Sequence, residues 1–188
     1  LFCITRKSCC FVIFCTHIFK FIISFLDKVP LKEIIFIKCS KMNKIETSIA
    51  ETFSEWVHKL NVNDVPEDVV DKLQLIVLDS FGLMVSAKNE QYIKSLINAL
   101  QENGDCTLVG HNKKVNPFNA SIINGTAIHG EDFDDTFEGT PVHVGSVMVP
   151  AMLSSAQAKN LDGEKFLKGL VVGSELICRL ALVAPTAV

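Results

Sequence analysis

Between His129 and Ser146 the chain reads His-Gly-Glu-Asp-Phe-Asp-Asp-Thr, then Phe-Glu-Gly-Thr-Pro-Val-His-Val-Gly-Ser. Glu131, Asp132, Asp134, Asp135 and Thr136 place four carboxylates and a hydroxyl within six residues, and His143 follows. Carboxylates this close repel one another. A chain tolerates them where they cap helices, hold a cation or keep shifted pKa values in a site. A carboxylate beside an imidazole fixes its tautomer and raises its basicity, which suits general acid–base chemistry. On a helix, Asp132 would share a face with Thr136 and project together with Asp135. The Gly139-Thr140-Pro141 turn would then fold His143 back toward that face. Thr136 and the backbone donors near Gly145-Ser146, at the start of the next helix, could hold a substrate carboxylate.

Plainer readings stand beside this one. An isolated Asp-Asp-Thr is more often a helix cap or a solvated turn. Asp132, Asp134, Asp135 and His143 could instead ligate a hard cation, although they match no known loop spacing. His58 and His111 read as surface residues. His129 reads as a helix-end residue whose charge would complement the helix dipole. Cys178 reads as core, and Arg179 as a partner for Glu175 four residues back.

The elements that must position these groups are helical. Ile45, Ile49, Phe53, Trp56, Val57 and Leu60 stack on one helix face. Asn61–Asp64 is a polar break. Pro66 suits the first turn of a second helix, with Val69, Leu73, Ile76, Val77, Phe81 and Met84 inward. Gly82 within it is expected to admit a close neighbour. A third helix spans about Glu90–Glu102, with Tyr92, Leu96, Ile97 and Leu100 inward, and Asn103-Gly104 ends it. Cys106–Val109 reads as a short extended piece. Asn116-Pro117 opens a helix carrying Phe118, Ala120, Ile123, Ala127 and Ile128. Two more helices follow, Met148–Lys159 and Glu164–Leu182. The last is apolar almost all round and is therefore expected at the centre. The fold class is all-α.

Composition divides the chain. Residues 1–41 hold five of the seven cysteines, seven of the 13 phenylalanines and seven of the 18 Lys and Arg, but only two of the 21 Asp and Glu. Phe11–Leu26 is nearly all apolar, yet it is short for a span and carries Lys20 near its middle. The favoured expectation is that residues 1–41 are translated noncoding sequence. A membrane anchor through residues 8–26 comes second and a cleaved signal third. Residues 42–188 are acidic, which argues against a nucleic-acid partner. Their two isolated cysteines, Cys106 and Cys178, suggest neither a disulfide framework nor a zinc site, so a reducing compartment is expected.

The motifs resemble the MmgE/PrpD family. Asn124-Gly125-Thr126-Ala127-Ile128-His129 running into Asp132-Phe133-Asp134-Asp135-Thr136 is similar to its signature. So are His143-Val144-Gly145-Ser146 before Val149-Pro150-Ala151, Gly173-Ser174-Glu175-Leu176-Ile177-Cys178-Arg179, and Leu78-Asp79-Ser80-Phe81-Gly82. The resemblance covers residues 45–185, in order. Val144 stands where the family usually has Pro, and Ser174 where it has Tyr.

The resemblance implies a large helical domain, here its N-terminal part (residues 42–188, truncated), with a smaller lid domain expected to be missing. It implies homodimers when full length, and action on small di- or tricarboxylates without an iron–sulfur cluster or other cofactor and with no metal. The reactions implied are dehydration of 2-methylcitrate, decarboxylation of cis-aconitate, or epimerisation. Asp132 and His143 map to catalytic positions and, with Thr136, to substrate-binding ones. A further His, Lys and Tyr are expected beyond Val188. His143 would be the acid/base or a carboxylate ligand, and Asp132 would orient it or touch substrate. A cytoplasmic enzyme is expected, mitochondrial if eukaryotic, with membrane anchoring as the alternative. A rival expectation is a non-catalytic fragment that leaves apolar helix faces exposed.

Overall fold

A computed structural model describes residues 47–138 and 140–183. Segment 1–41, its apolar stretch 8–26, Ile45 and Gly139 lie outside the described residues.

Helix α1 (Ile49–Lys59) opens with a capping box. Ser48 Oγ accepts from the Glu51 amide while the Glu51 carboxylate accepts from the Ser48 amide. Its apolar face is only half-buried, and Ile49 is exposed. A 3-10 turn (Val62–Asp64) leads to α2 (Glu67–Ser86), with Pro66 as its N-cap residue. Val69, Leu73, Ile76 and Met84 of α2 are buried as their spacing predicts. Gly82 is not a contact point: a Cβ there would meet nothing within 4 Å.

Helix α3 (Gln91–Ala99) is shorter than expected, and Ile93 is its buried residue. Polar Asn103-Gly104-Asp105 does not end a helix but belongs to strand β1 (Asn103–Thr107), paired antiparallel with β2 (Lys114–Val115). Gly104 is required here, since a Cβ would fall 2.5 Å from the Val115 carbonyl oxygen and the Asn116 nitrogen.

Helix α4 (Pro117–His129) starts as read, with the Asn116 side chain accepting from the Asn119 amide and Pro117 at the first turn. Helix α5 (Val144–Lys159) lies against α4, and α6 (Gly163–Val183) lies against α5. The α4–α5 crossing is close at Gly125, whose Cβ would stand 3.0 Å from the Ser146 carbonyl oxygen. That carbonyl would otherwise accept from position 150, where Pro150 has no N–H. Gly169 and Gly173 of α6 leave room for the side chains of Met152 and Met148.

Two apolar clusters form around this frame. One joins Leu83 and Met84 of α2 to Ile93, Leu108, Val115, Ile123 and Ile128. The other joins Val69, Leu73 and Ile76 to Val149, Leu170 and Val171. Helix α6 is not central among the described residues. They cover only its Leu170, Val171, Glu175 and Cys178 side, and Leu176, Leu180 and Leu182 are exposed. The all-α class holds, with one small hairpin. Among the described residues no helix is long and apolar enough to cross a membrane.

Candidate active site

The acidic segment is not helical. Gly130 ends α4, and the Asp132 amide donates to the His129 carbonyl at 2.9 Å. Asp132 then takes a left-handed φ of 55°, a conformation Asp accepts more readily than most residues. The shared helix face expected for Asp132, Asp135 and Thr136 therefore does not exist. The chain bends again at Asp134 and runs without regular structure to Phe137, which is buried and forms an antiparallel bridge with Val142. That bridge returns the chain to His143, the N-cap residue of α5. A residue at the end of α4 and a residue at the start of α5 are thereby brought together.

The buried carboxylate of Asp134 is the hub. His129 Nδ1 lies 3.1 Å from Asp134 Oδ1 and 3.2 Å from Oδ2. His143 Nδ1 lies 3.2 Å from the same Oδ1, close enough for an ion pair but without hydrogen-bond alignment. The two rings meet edge to face, with centroids 4.6 Å apart. On its other edge His143 Nε2 stands 3.8 Å from the exposed Asp132 carboxylate. The expected pairing of His143 with an acid exists, but its near partner is Asp134. Thr136 is half-buried, and among the described residues no hydrogen bond ties its hydroxyl to this cluster.

Asp135 points the other way. Its Oδ1 accepts the Gly145 amide at 2.8 Å and its Oδ2 is buried without a partner. Burial raises its pKa to about 6, aided by the charges of Asp134 and Asp79 and opposed by the Gly145 hydrogen bond. Asp79 of α2 is likewise pushed up by burial, then by the charge of Asp134. The Gly145-Ser146 amides expected to hold a substrate carboxylate are not open for it. Both residues are buried, Asp135 takes the first amide, and Ser146 Oγ donates to the His143 carbonyl.

One ligand atom each from His129, Asp132, Asp134 and His143 falls within 4.8 Å of the others, a donor set with which a divalent ion is compatible. The His129–Asp134 hydrogen bond accounts for one side of this closeness, while His143 approaches both aspartates without a hydrogen bond.

Residues 51–187 match the MmgE/PrpD N-terminal domain. The chain belongs to the MmgE/PrpD family. A cis-aconitate decarboxylase-like protein, oryM, of Aspergillus oryzae is 31% identical over 141 residues, covering 69% of this chain and 29% of that protein. The cis-aconitate decarboxylase of Aspergillus terreus is 24% identical over 147 residues (73% and 30%). That of Mus musculus is 31% identical over 144 residues (71% and 29%). The chain thus spans less than a third of the length of these relatives. No solved structure matches it.

Within the family signature the structure separates two kinds of residue. Asn124 is structural: its side chain accepts from the Val109 amide at 3.1 Å and donates to the Thr107 carbonyl at 3.0 Å, tying the hairpin to α4. Glu175 and Arg179 form the expected pair at 2.7 Å, and Cys178 is buried, its thiol pushed up to about 12 chiefly by burial. Asp132, Asp134 and the two histidines face one another. The residues that sequence reasoning underrated are His129 and Asp134. The signal was the histidine closing the Asn-Gly-x-x-x-His helix five residues before an aspartate. His111, read as a surface residue, is half-buried.

Proposed function

We propose that this chain is part of a lyase that acts on a small di- or tricarboxylate without a cofactor, with decarboxylation of a cis-aconitate-like acid as the favoured reaction. The supporting observation is His143 lying between two aspartates, with Asp134 behind one ring nitrogen and Asp132 before the other. A ring with a buried carboxylate 3.2 Å from its inner nitrogen presents its outer nitrogen for proton transfer. His143 is the proposed acid/base and Asp132 its partner toward substrate. Thr136, Asp132 and His143 are proposed to hold the substrate. Loss of carbon dioxide leaves an electron pair spread onto the remaining carboxylated skeleton. An acid beside it delivers the proton that completes the product, and groups that stabilise the developing charge supply much of the rate gain. The names of the relatives favour this over dehydration of a 2-methylcitrate-like acid, which is the second reading.

A homodimer is part of the same proposal. The exposed Leu176, Leu180 and Leu182 on α6 favour an active form with more polypeptide against that face than the described residues provide. The test is proton NMR of reaction mixtures containing the longest natural polypeptide that includes this chain. Itaconate from cis-aconitate supports decarboxylation. Tricarboxylates recovered unchanged, with neither carbon dioxide nor water lost, would sink the lyase reading.

A further inference from the structure

We infer that His129 is a second substrate-facing imidazole that holds a carboxylate of the ligand, and that Asp134 is its positioning residue. The inference rests on the reading of this site as one for a small polycarboxylate.

His129 ends α4 and its side chain is 53% exposed, while that of Asp134 is 1% exposed. A buried carboxylate left alone is costly, and two imidazoles are what surrounds this one. Asp134 fits the tautomer in which His129 Nδ1 carries hydrogen, leaving Nε2 toward the site. Such a nitrogen is a lone pair when the ring is neutral and an N–H donor when it is protonated. The first form takes a proton and the second binds an anion. The structure gives the two rings different surroundings for these tasks. His143 is the more enclosed ring, at 20% exposure, and has Asp132 3.8 Å from its outer nitrogen. His129 is the more exposed ring, at 53%, and its one hydrogen-bonded carboxylate among the described residues is Asp134, so it is open to an anionic group from solvent. Edge-to-face contact, with centroids 4.6 Å apart, puts both rings at one site. The charges around them are Asp132 and Asp135 on the loop, Asp79 from α2, and Glu131, which Tyr92 of α3 engages by a hydrogen bond of 3.1 Å.

The experiment uses tricarballylate, a saturated tricarboxylate that cannot be decarboxylated along the proposed route, so binding is read apart from turnover. Calorimetry on the whole chain should show tricarballylate binding, weakened about 10- to 100-fold by His129→Gln, the range expected for losing one charge-assisted contact. Nitrogen-15 shifts of the imidazoles at alkaline pH should place the His129 proton on Nδ1 and lose that preference in Asp134→Ala, with amide dispersion checking the fold. In a form that turns over substrate, His129→Gln should raise KM far more than it lowers kcat. Equal tricarballylate affinity in wild type and His129→Gln, no binding by wild type, or a His129 tautomer indifferent to Asp134 would each overturn the inference. Binding without turnover would leave it standing while the lyase reading fell.

Discussion

Asp135 fastens the return loop to the first turn of α5 through Gly145, whose amide it accepts at 2.8 Å. Neighbouring residues of one acidic segment thus serve opposite sides: Asp134 holds His129 and faces His143, and Asp135 holds the helix that carries His143. A carboxylate at a helix N-terminus satisfies an orphan amide and complements the dipole. The same contact needs the glycine, because a Cβ on Gly145 would run into Asp135 Oδ1 and lie 3.1 Å from Ile76 Cγ2.

Gly145→Ala should therefore destabilise the fold by about 1–3 kcal/mol, the usual range for overpacking a tight site. Urea denaturation measures it. An unchanged midpoint would mean that the loop and α5 are not seated as described.

Asp135 also sets a pH dependence. Its folded pKa, about 6, lies above the ordinary aspartate value, so the folded state binds the proton more tightly. Its stabilising effect is present in full below the unfolded pKa and is lost as pH rises through the folded value. Stability from this group should fall between about pH 4 and pH 6 by about 3 kcal/mol at most, then level off. Asp135→Asn, which mimics the protonated form, should be the more stable protein at neutral pH and lose that advantage in acid. A wild-type-minus-variant difference that does not change across this window would contradict the assignment.

Arg179 guards a second buried acid. The Glu175 side chain is 2% exposed, its Oε1 has no partner, and burial raises its pKa against the opposing pull of Arg179. Arg179→Ala leaves that carboxylate uncompensated and should cost about 3–5 kcal/mol at neutral pH. The loss should shrink in acid, where Glu175 can take a proton. Thermal unfolding at two pH values checks both statements.

The helices were legible from apolar spacing because α2 and α4 bury one continuous stripe, and local caps such as Asn116-Pro117 mark their starts. The hairpin was not legible. Asn103-Gly104-Asp105 has poor strand propensity, and the strand exists because β2 and the Asn124 side chain pair with its end. The acidic segment gave its chemistry but not its shape. A helical spacing was read through Asp132–Thr136, whereas a left-handed residue at Asp132, a bend at Asp134 and the hydrogen bond from Gly145 to Asp135 accompany an irregular course. His129 looked like a simple helix end because only the returning loop puts Asp134 beneath it. Helix α6 looked central because its apolar residues run all round, yet the described residues pack against one side.

Asn124 offers a control for the family motif. Asn124→Ala breaks two hydrogen bonds and leaves the Val109 amide and Thr107 carbonyl of half-buried residues without that partner, so it should cost about 1–3 kcal/mol of stability. Once the protein is folded, the chemical step should be nearly unaffected. A variant that keeps its stability but loses turnover would move Asn124 from the scaffold into the site.

The central claim is that His143, set between Asp134 and Asp132, transfers the proton in a reaction of a small polycarboxylate. The most direct measurement is kcat of His143→Ala beside wild type in the longest natural polypeptide containing this chain, with circular dichroism confirming the fold. The account predicts a fall on the order of 100- to 10,000-fold, the usual worth of a general acid or base. A folded His143→Ala protein with near-normal kcat would contradict it.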